Sequence, residues 1–183
     1  MKFKFLSILI VFSILGAAFM QNSAAQGFII TSGSFSNGQT LPNEQIHGNF
    51  GCTGKNISPD LQWNGAPKDT KSLALIVHDP DAPRPNGWYH WIVLNIPANT
   101  KGFKQGQKIH PPMIEAKNDF GSTQYGGACP PKGHGLHHYN FTIYALDTPT
   151  LVITGASTPN SLERLVKQRA LASATITATY GRE

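Results

Sequence analysis

Apolar residues recur along this chain in short blocks that glycine and proline interrupt at close intervals, the punctuation of a β-rich domain. Residues 72–79 (SLALIVHD) predict a strand with Leu73, Leu75, Val77 and Asp79 on one face and Ala74, Ile76 and His78 on the other. Both faces are mostly apolar, so this strand belongs inside a sheet covered on both sides. Residues 90–96 (HWIVLNI) behave alike, with His90, Ile92, Leu94 and Ile96 expected to share a face. Residues 139–146 (YNFTIYAL) place Tyr139, Phe141, Ile143 and Ala145 together, and residues 172–180 alternate Ala, Ile and Tyr with Ser and Thr. The last pattern predicts a half-buried strand near a sheet edge. One helix interrupts the series. Thr158 reads as its cap and Pro159 as its first residue; Leu162, Leu165 and Val166 form the buried stripe, with Glu163, Lys167 and Arg169 off it. Residues 99–129 read mostly as loop, and a stretch of that length without structure points to function.

Composition changes the picture at the N-terminus. Lys2 and Lys4 precede an apolar run over residues 5–19, and Ser23-Ala24-Ala25 follows as a small-residue cleavage signal. Residues 1–25 are therefore expected to be a secretory signal peptide, and residues 26–183 one exported domain, periplasmic or secreted. The apolar run is shorter than the roughly 20 residues that span a bilayer, so no stable membrane span is expected once the leader is removed. Losing Lys2 and Lys4 takes the formal net charge from +5 to +3. The remaining lysines are scattered, with no basic run interleaved with aromatics, which argues against nucleic-acid binding. Cys52 and Cys129 are the two cysteines of the chain. An even count in an exported chain favours a disulfide, with two free buried thiols as the alternative.

The candidate chemistry is concentrated in two segments, Asp79-Pro80-Asp81-Ala82-Pro83 with His90 after it, and residues 129–139 (CPPKGHGLHHY). Proline after Asp79 biases that residue toward extended geometry, so its carboxylate leaves the strand end in a set direction. With the two strands as neighbours, His90 comes within reach of Asp79, and the carboxylate is expected to favour a charged imidazole suited to an anion. His137 and Tyr139 alternate onto one face and His138 onto the other. His137→Ala is expected to weaken anion binding and spare the fold, as a strand-end residue. His134 and His137, with Asp79 and His90, imitate a metal site, but the spacing lies in a glycine loop and is no zinc signature; no metal and no cofactor are expected. No G-x-S-x-G elbow or activated nucleophile stands out, so an enzyme is not expected.

Several stretches together resemble the phosphatidylethanolamine-binding protein family, also called Raf kinase inhibitor-like proteins, in its bacterial branch. They are Asn56-Ile57-Ser58-Pro59 with Leu61 and Trp63, the DPDAP segment, Trp88-Tyr89-His90-Trp91, Asp119-Phe120-Gly121, Tyr125-Gly126-Gly127, Pro130-Pro131-Lys132-Gly133 and His137-His138-Tyr139. The resemblance implies a mainly β fold: a large antiparallel sheet, a smaller second sheet and peripheral helices. It also implies a small pocket for phosphate or a phosphorylated head group, with Asp79, Asp81, His90, Pro130, His137 and Tyr139 as its residues. Many relatives carry arginine where this chain has His138. Cys129 falls at the pocket wall by motif position, so a Cys52–Cys129 bridge would staple the rim. The expected function is that of a small-anion binding protein. The alternative is a regulator that restrains a peptidase or kinase by protein contact.

Overall fold

The structure is a computed structural model that describes residues 27–183; the expected signal peptide lies outside the described residues. Eight strands and one α-helix follow in chain order: β1 (Ile29–Thr31), β2 (Leu61–Asn64), β3 (Ser72–Asp79), β4 (Trp88–Pro97), β5 (Gly102–Phe103), β6 (Ile114–Glu115), β7 (Gly135–Leu146), α1 (Pro159–Arg169) and β8 (Ala170–Arg182). They form a five-stranded sheet in the order β6-β4-β3-β7-β8 and a three-stranded sheet in the order β1-β2-β5, every pair antiparallel. The mainly β, two-sheet architecture is the one the resemblance implies. Leu73, Leu75, Val77, Phe141 and Ile143 from the large sheet pack with Ile30, Leu61, Trp63 and Phe103 from the small one. Behind the large sheet, Ala74, Ile76, Ile92 and Leu94 pack under Leu162 and Val166 of α1. That double cover explains why β3 and β4 read as nearly continuous apolar runs.

The expected faces of β3 and β7 are observed, and β8 lies at the sheet edge as its alternation predicts. In β4 the expected common face of His90, Ile92, Leu94 and Ile96 breaks down. Val77 pairs with Trp91 and His78 with Tyr89, leaving His90 as an extra residue; Leu73 and Leu75 pair with Ile96 and Val93, leaving a second irregularity at Leu94 and Asn95. Each bulge shifts the alternation by one residue. Tyr89, Ile92 and Leu94 face the helix, while Trp91, Val93 and Ile96 face the small sheet. His90 turns to the same side as Tyr139, with ring centroids 5.1 Å apart.

Thr158 caps α1 as predicted: its hydroxyl accepts from Ser161 N at 3.2 Å, and Ser161 Oγ accepts from Thr158 N at 2.9 Å. Glu163 departs from its expected place away from the buried face. Its carboxylate accepts from Tyr89 Oη at 2.7 Å and pairs with Lys167 at 3.0 Å, tying the helix to β4. Burial works against its charge, yet these partners outweigh it and hold its pKa below the usual value. The segment expected to be loop contains β5 and β6, each two residues long.

Candidate binding site

At the end of β3, Asp79 turns back on its own chain: Oδ1 accepts from Asp81 N at 2.8 Å, an Asx-type turn that the following proline favours. Its Oδ2 lies 2.7 Å from His137 Nδ1 on β7, and both side chains are buried. Gly87 (φ +64°) closes the β3–β4 turn where a Cβ would collide with the Asp79 carbonyl, so only glycine fits. From β4, the His90 ring is buried with Nδ1 2.8 Å from the Gly126 carbonyl oxygen. Burial pushes the His90 pKa down to about 4, against the upward pull of that carbonyl and of Asp79. The expected imidazolium is thus a neutral imidazole, because desolvation outweighs the neighbouring carboxylate. Burial likewise pushes the Tyr139 phenol up, and it stays protonated.

These groups wall a cavity of about 300 Å³ together with Phe50, Pro83, Arg84, Trp88, Phe120 and the Cys129-Pro130-Pro131 segment. Its walls are mostly apolar and aromatic. Phe120 stacks on Phe50 at 5.9 Å and meets Trp88 edge-on at 5.1 Å; Arg84 lies 4.9 Å over Trp88 and 3.5 Å from Asp119. Three buried polar atoms on the cavity-lining side chains have no partner: Trp88 Nε1, His90 Nε2 and Tyr139 Oη. Buried polar atoms are ordinarily satisfied, so three orphans on side chains that line one hollow are exceptions that call for an explanation.

Of the residues expected at the site, Asp79, His90, Pro130, His137 and Tyr139 wall the cavity together. Asp81 does not: its Oδ2 accepts from His138 N at 2.8 Å and lies 2.7 Å from His138 Nδ1, on the opposite side of the strand. Burial alone would raise the Asp81 pKa, and the His138 contacts overcome it and lower it. His134 also stays off the wall, its ring 5.8 Å from that of His137. His137 is no peripheral strand-end residue, as its pairing with buried Asp79 shows.

Residues that sequence reasoning did not assign to the site build its rim. Phe50 adopts φ +60°, rare for a side chain of that size, and holds its ring 67% exposed at the mouth. The expected Cys52–Cys129 bond is present, with Cα atoms 6.0 Å apart, and ties the Phe50 turn to the Cys129 wall. Arg182 Nε donates to Pro130 O at 2.6 Å, and Nη1 donates to Phe50 O at 3.4 Å. Asn118, buried, donates to His90 O at 3.0 Å and Gln124 O at 2.7 Å and accepts from Phe120 N at 3.0 Å. It folds the loop after β6 against β4 and sets Phe120 in the wall. The only sequence signal for that role was its place before Asp119-Phe120-Gly121.

Comparison with known proteins bears on what this arrangement is. The phosphatidylethanolamine-binding protein family model matches residues 31–181. The chain belongs to the phosphatidylethanolamine-binding protein family. Within that family it is 40% identical over 170 residues to the UPF0098 protein YbcL of Escherichia coli, covering 89% of this chain and 93% of YbcL. The crystal structure of YbcL superposes with a TM-score of 0.82 at 38% identity, covering 86% of this chain and all of that one (100%). A family homolog from Chlamydia trachomatis gives a TM-score of 0.73 at 33% identity, over 86% and 99% of the two chains. A carboxypeptidase Y inhibitor, solved in complex with its cognate proteinase, shares the fold at a TM-score of 0.51 and 19% identity, over 87% and 84%. Family membership is consistent with a ligand-binding or regulatory role.

The neutral His90 makes the folded state sensitive to acid. Its pKa is about 4 in the fold against an ordinary 6.5, so between those values the unfolded chain binds more protons. This group's contribution is present above pH 6.5 and is lost as pH falls toward 4, by about 3 kcal/mol in all. Urea unfolding from pH 7 to pH 4 should show that decline in wild type and a shallower one in His90→Gln. Parallel profiles for the two proteins would refute the assignment.

Proposed function

We propose that this protein is an exported binding protein whose cavity holds a small anion, phosphate or a phosphorylated head group. The observation that carries the reading is the set of three orphaned polar atoms, Trp88 Nε1, His90 Nε2 and Tyr139 Oη, on side chains that line one cavity of about 300 Å³. A cavity of that size is at the small end of those that hold organic ligands, about 300–1,000 Å³. Arg84 at its edge supplies positive charge. Export is supported by the leader pattern and by the Cys52–Cys129 bridge, which persists in oxidising compartments. The reading is one of binding without chemistry: Cys129, the one wall residue with a nucleophile's sulfur, is held in the disulfide. Asp81 serves the site indirectly, by holding β7 at His138.

Tyr139→Phe tests it with two effects of opposite sign. Removing a buried hydroxyl that has no partner should leave the stability of the free protein unchanged or raise it. A hydrogen bond to a charged ligand is worth about 1.5–3 kcal/mol, so phosphate affinity should fall by about tenfold or more. Phosphate titrations followed by the Trp88 indole N–H resonance report the affinity. A Trp88 signal that ignores saturating phosphate in wild type would end this reading. A second reading, a regulator of a partner enzyme, draws on the exposed Phe50 ring at the rim and on the fold shared with the carboxypeptidase Y inhibitor.

A further inference from the structure

The partner of His90 fixes which ring nitrogen carries the proton. A carbonyl oxygen only accepts, so the Gly126 contact at 2.8 Å places the hydrogen on Nδ1 and leaves a lone pair on Nε2. The buried unpartnered atoms on the lining side chains are therefore a donor, Trp88 Nε1, a hydroxyl that can donate to a guest, Tyr139 Oη, and an acceptor, His90 Nε2. A fully ionised oxyanion answers the donors but turns an oxygen lone pair against Nε2. An oxyacid that keeps one O–H answers all three.

We propose that the cavity selects its ligand by a proton: a phosphoryl group enters with one P–O–H, which donates to His90 Nε2, while its other oxygens accept from Tyr139 Oη and Trp88 Nε1, and a sulfate ester of the same shape is rejected. This rests on the anion-binding reading above. The charges around His90 favour the outcome. Asp79 faces it from β3, His137 and Tyr139 from β7 and Arg84 from the β3–β4 turn; His78 lies on the far face of β3, stacked on Tyr89, and Asp119 and His47 stand behind Arg84 and Phe120. The buried Asp79 carboxylate disfavours a second negative charge on the guest. A phosphate monoester has its second pKa near 6 and readily keeps a proton, whereas a sulfate ester has none to bring. To bind as well, the sulfate would need His90 charged, which burial opposes. Sites that pair a ligand's O–H reject analogues lacking it because their own polar group is left unmatched.

Calorimetric titration of the disulfide-intact protein with phenyl phosphate and phenyl sulfate tests this, since the two differ only in the proton-bearing group. At pH 6, phenyl phosphate should bind at least about tenfold tighter than phenyl sulfate. At pH 8, where the free ester is the dianion, binding should take up close to one proton per ligand, read from the dependence of the heat on buffer ionisation, and affinity should drop by roughly tenfold per pH unit. His90→Leu should erase the preference between the esters; if that variant does not fold, the wild-type comparison decides alone. Equal or reversed affinities, or heats independent of buffer at pH 8, overturn the proton selection and leave the anion-binding reading standing. Binding of neither ester overturns both.

Discussion

Replacing His137 with alanine is expected to lower stability by about 3–5 kcal/mol, the cost of breaking a buried pair by removing one partner. His137 Nδ1 and Asp79 Oδ2 are 2.7 Å apart, with side-chain exposures of only 3% and 4%. Alanine would leave the Asp79 carboxylate in the cavity floor with the Asp81 N–H as its remaining partner and without the imidazole. Most of the loss should therefore come from the stranded carboxylate, with missing imidazole packing as the smaller part. Adding Asp79→Asn to His137→Ala separates the two: the neutral amide still accepts from Asp81 N, so the double variant should recover part of the loss. Denaturant midpoints of the two single variants and the double variant measure it. A double variant no more stable than His137→Ala would show that packing dominates.

Opening the Cys52–Cys129 bridge is expected to cost about 4 kcal/mol, from the entropy of an unfolded chain no longer closed across a sequence separation of 77. The Cys52→Ser/Cys129→Ser protein should shift to a lower urea midpoint with a steeper slope, since the unfolded chain, no longer cross-linked, exposes more surface. The loss should fall first on the rim, because Phe50 and its turn are joined to the 129–131 wall by this bond and by Arg182. A midpoint equal to that of wild type would show that the unfolded chain is already held compact.

Much of the fold was legible because it follows from side-chain alternation. Leu73, Leu75 and Val77 fill one core and Ala74 and Ile76 the other, as the two-step period of β3 requires. Thr158-Pro159 announced the helix because a cap and a first-turn proline are local chemistry. Most of the site was legible from residue type: Asp79, His90, His137 and Tyr139 do meet. What failed were properties that depend on more than one strand. The facing of His90 depends on a bulge defined against β3, which β4 alone does not encode. Its charge depends on burial by Phe120 and Tyr139, which come from distant parts of the chain. Asp81 was grouped with Asp79 by its place in the DPDAP motif, yet one turn sends it to His138 on the other side.

The extra residue at His90 has a consequence for how this strand tolerates change. Tyr89 to Trp91 act as a phase shifter: Tyr89 anchors α1 through Glu163, His90 reaches into the cavity, and Trp91, the next residue, packs on the same side as His90. Two adjacent side chains that would stand on opposite faces of a regular strand are thereby kept on one, the imidazole in the cavity and the indole in the core. Length, as much as identity, is therefore under constraint here: without the bulge, regular alternation counted back from Trp91 would send the imidazole to the helix side.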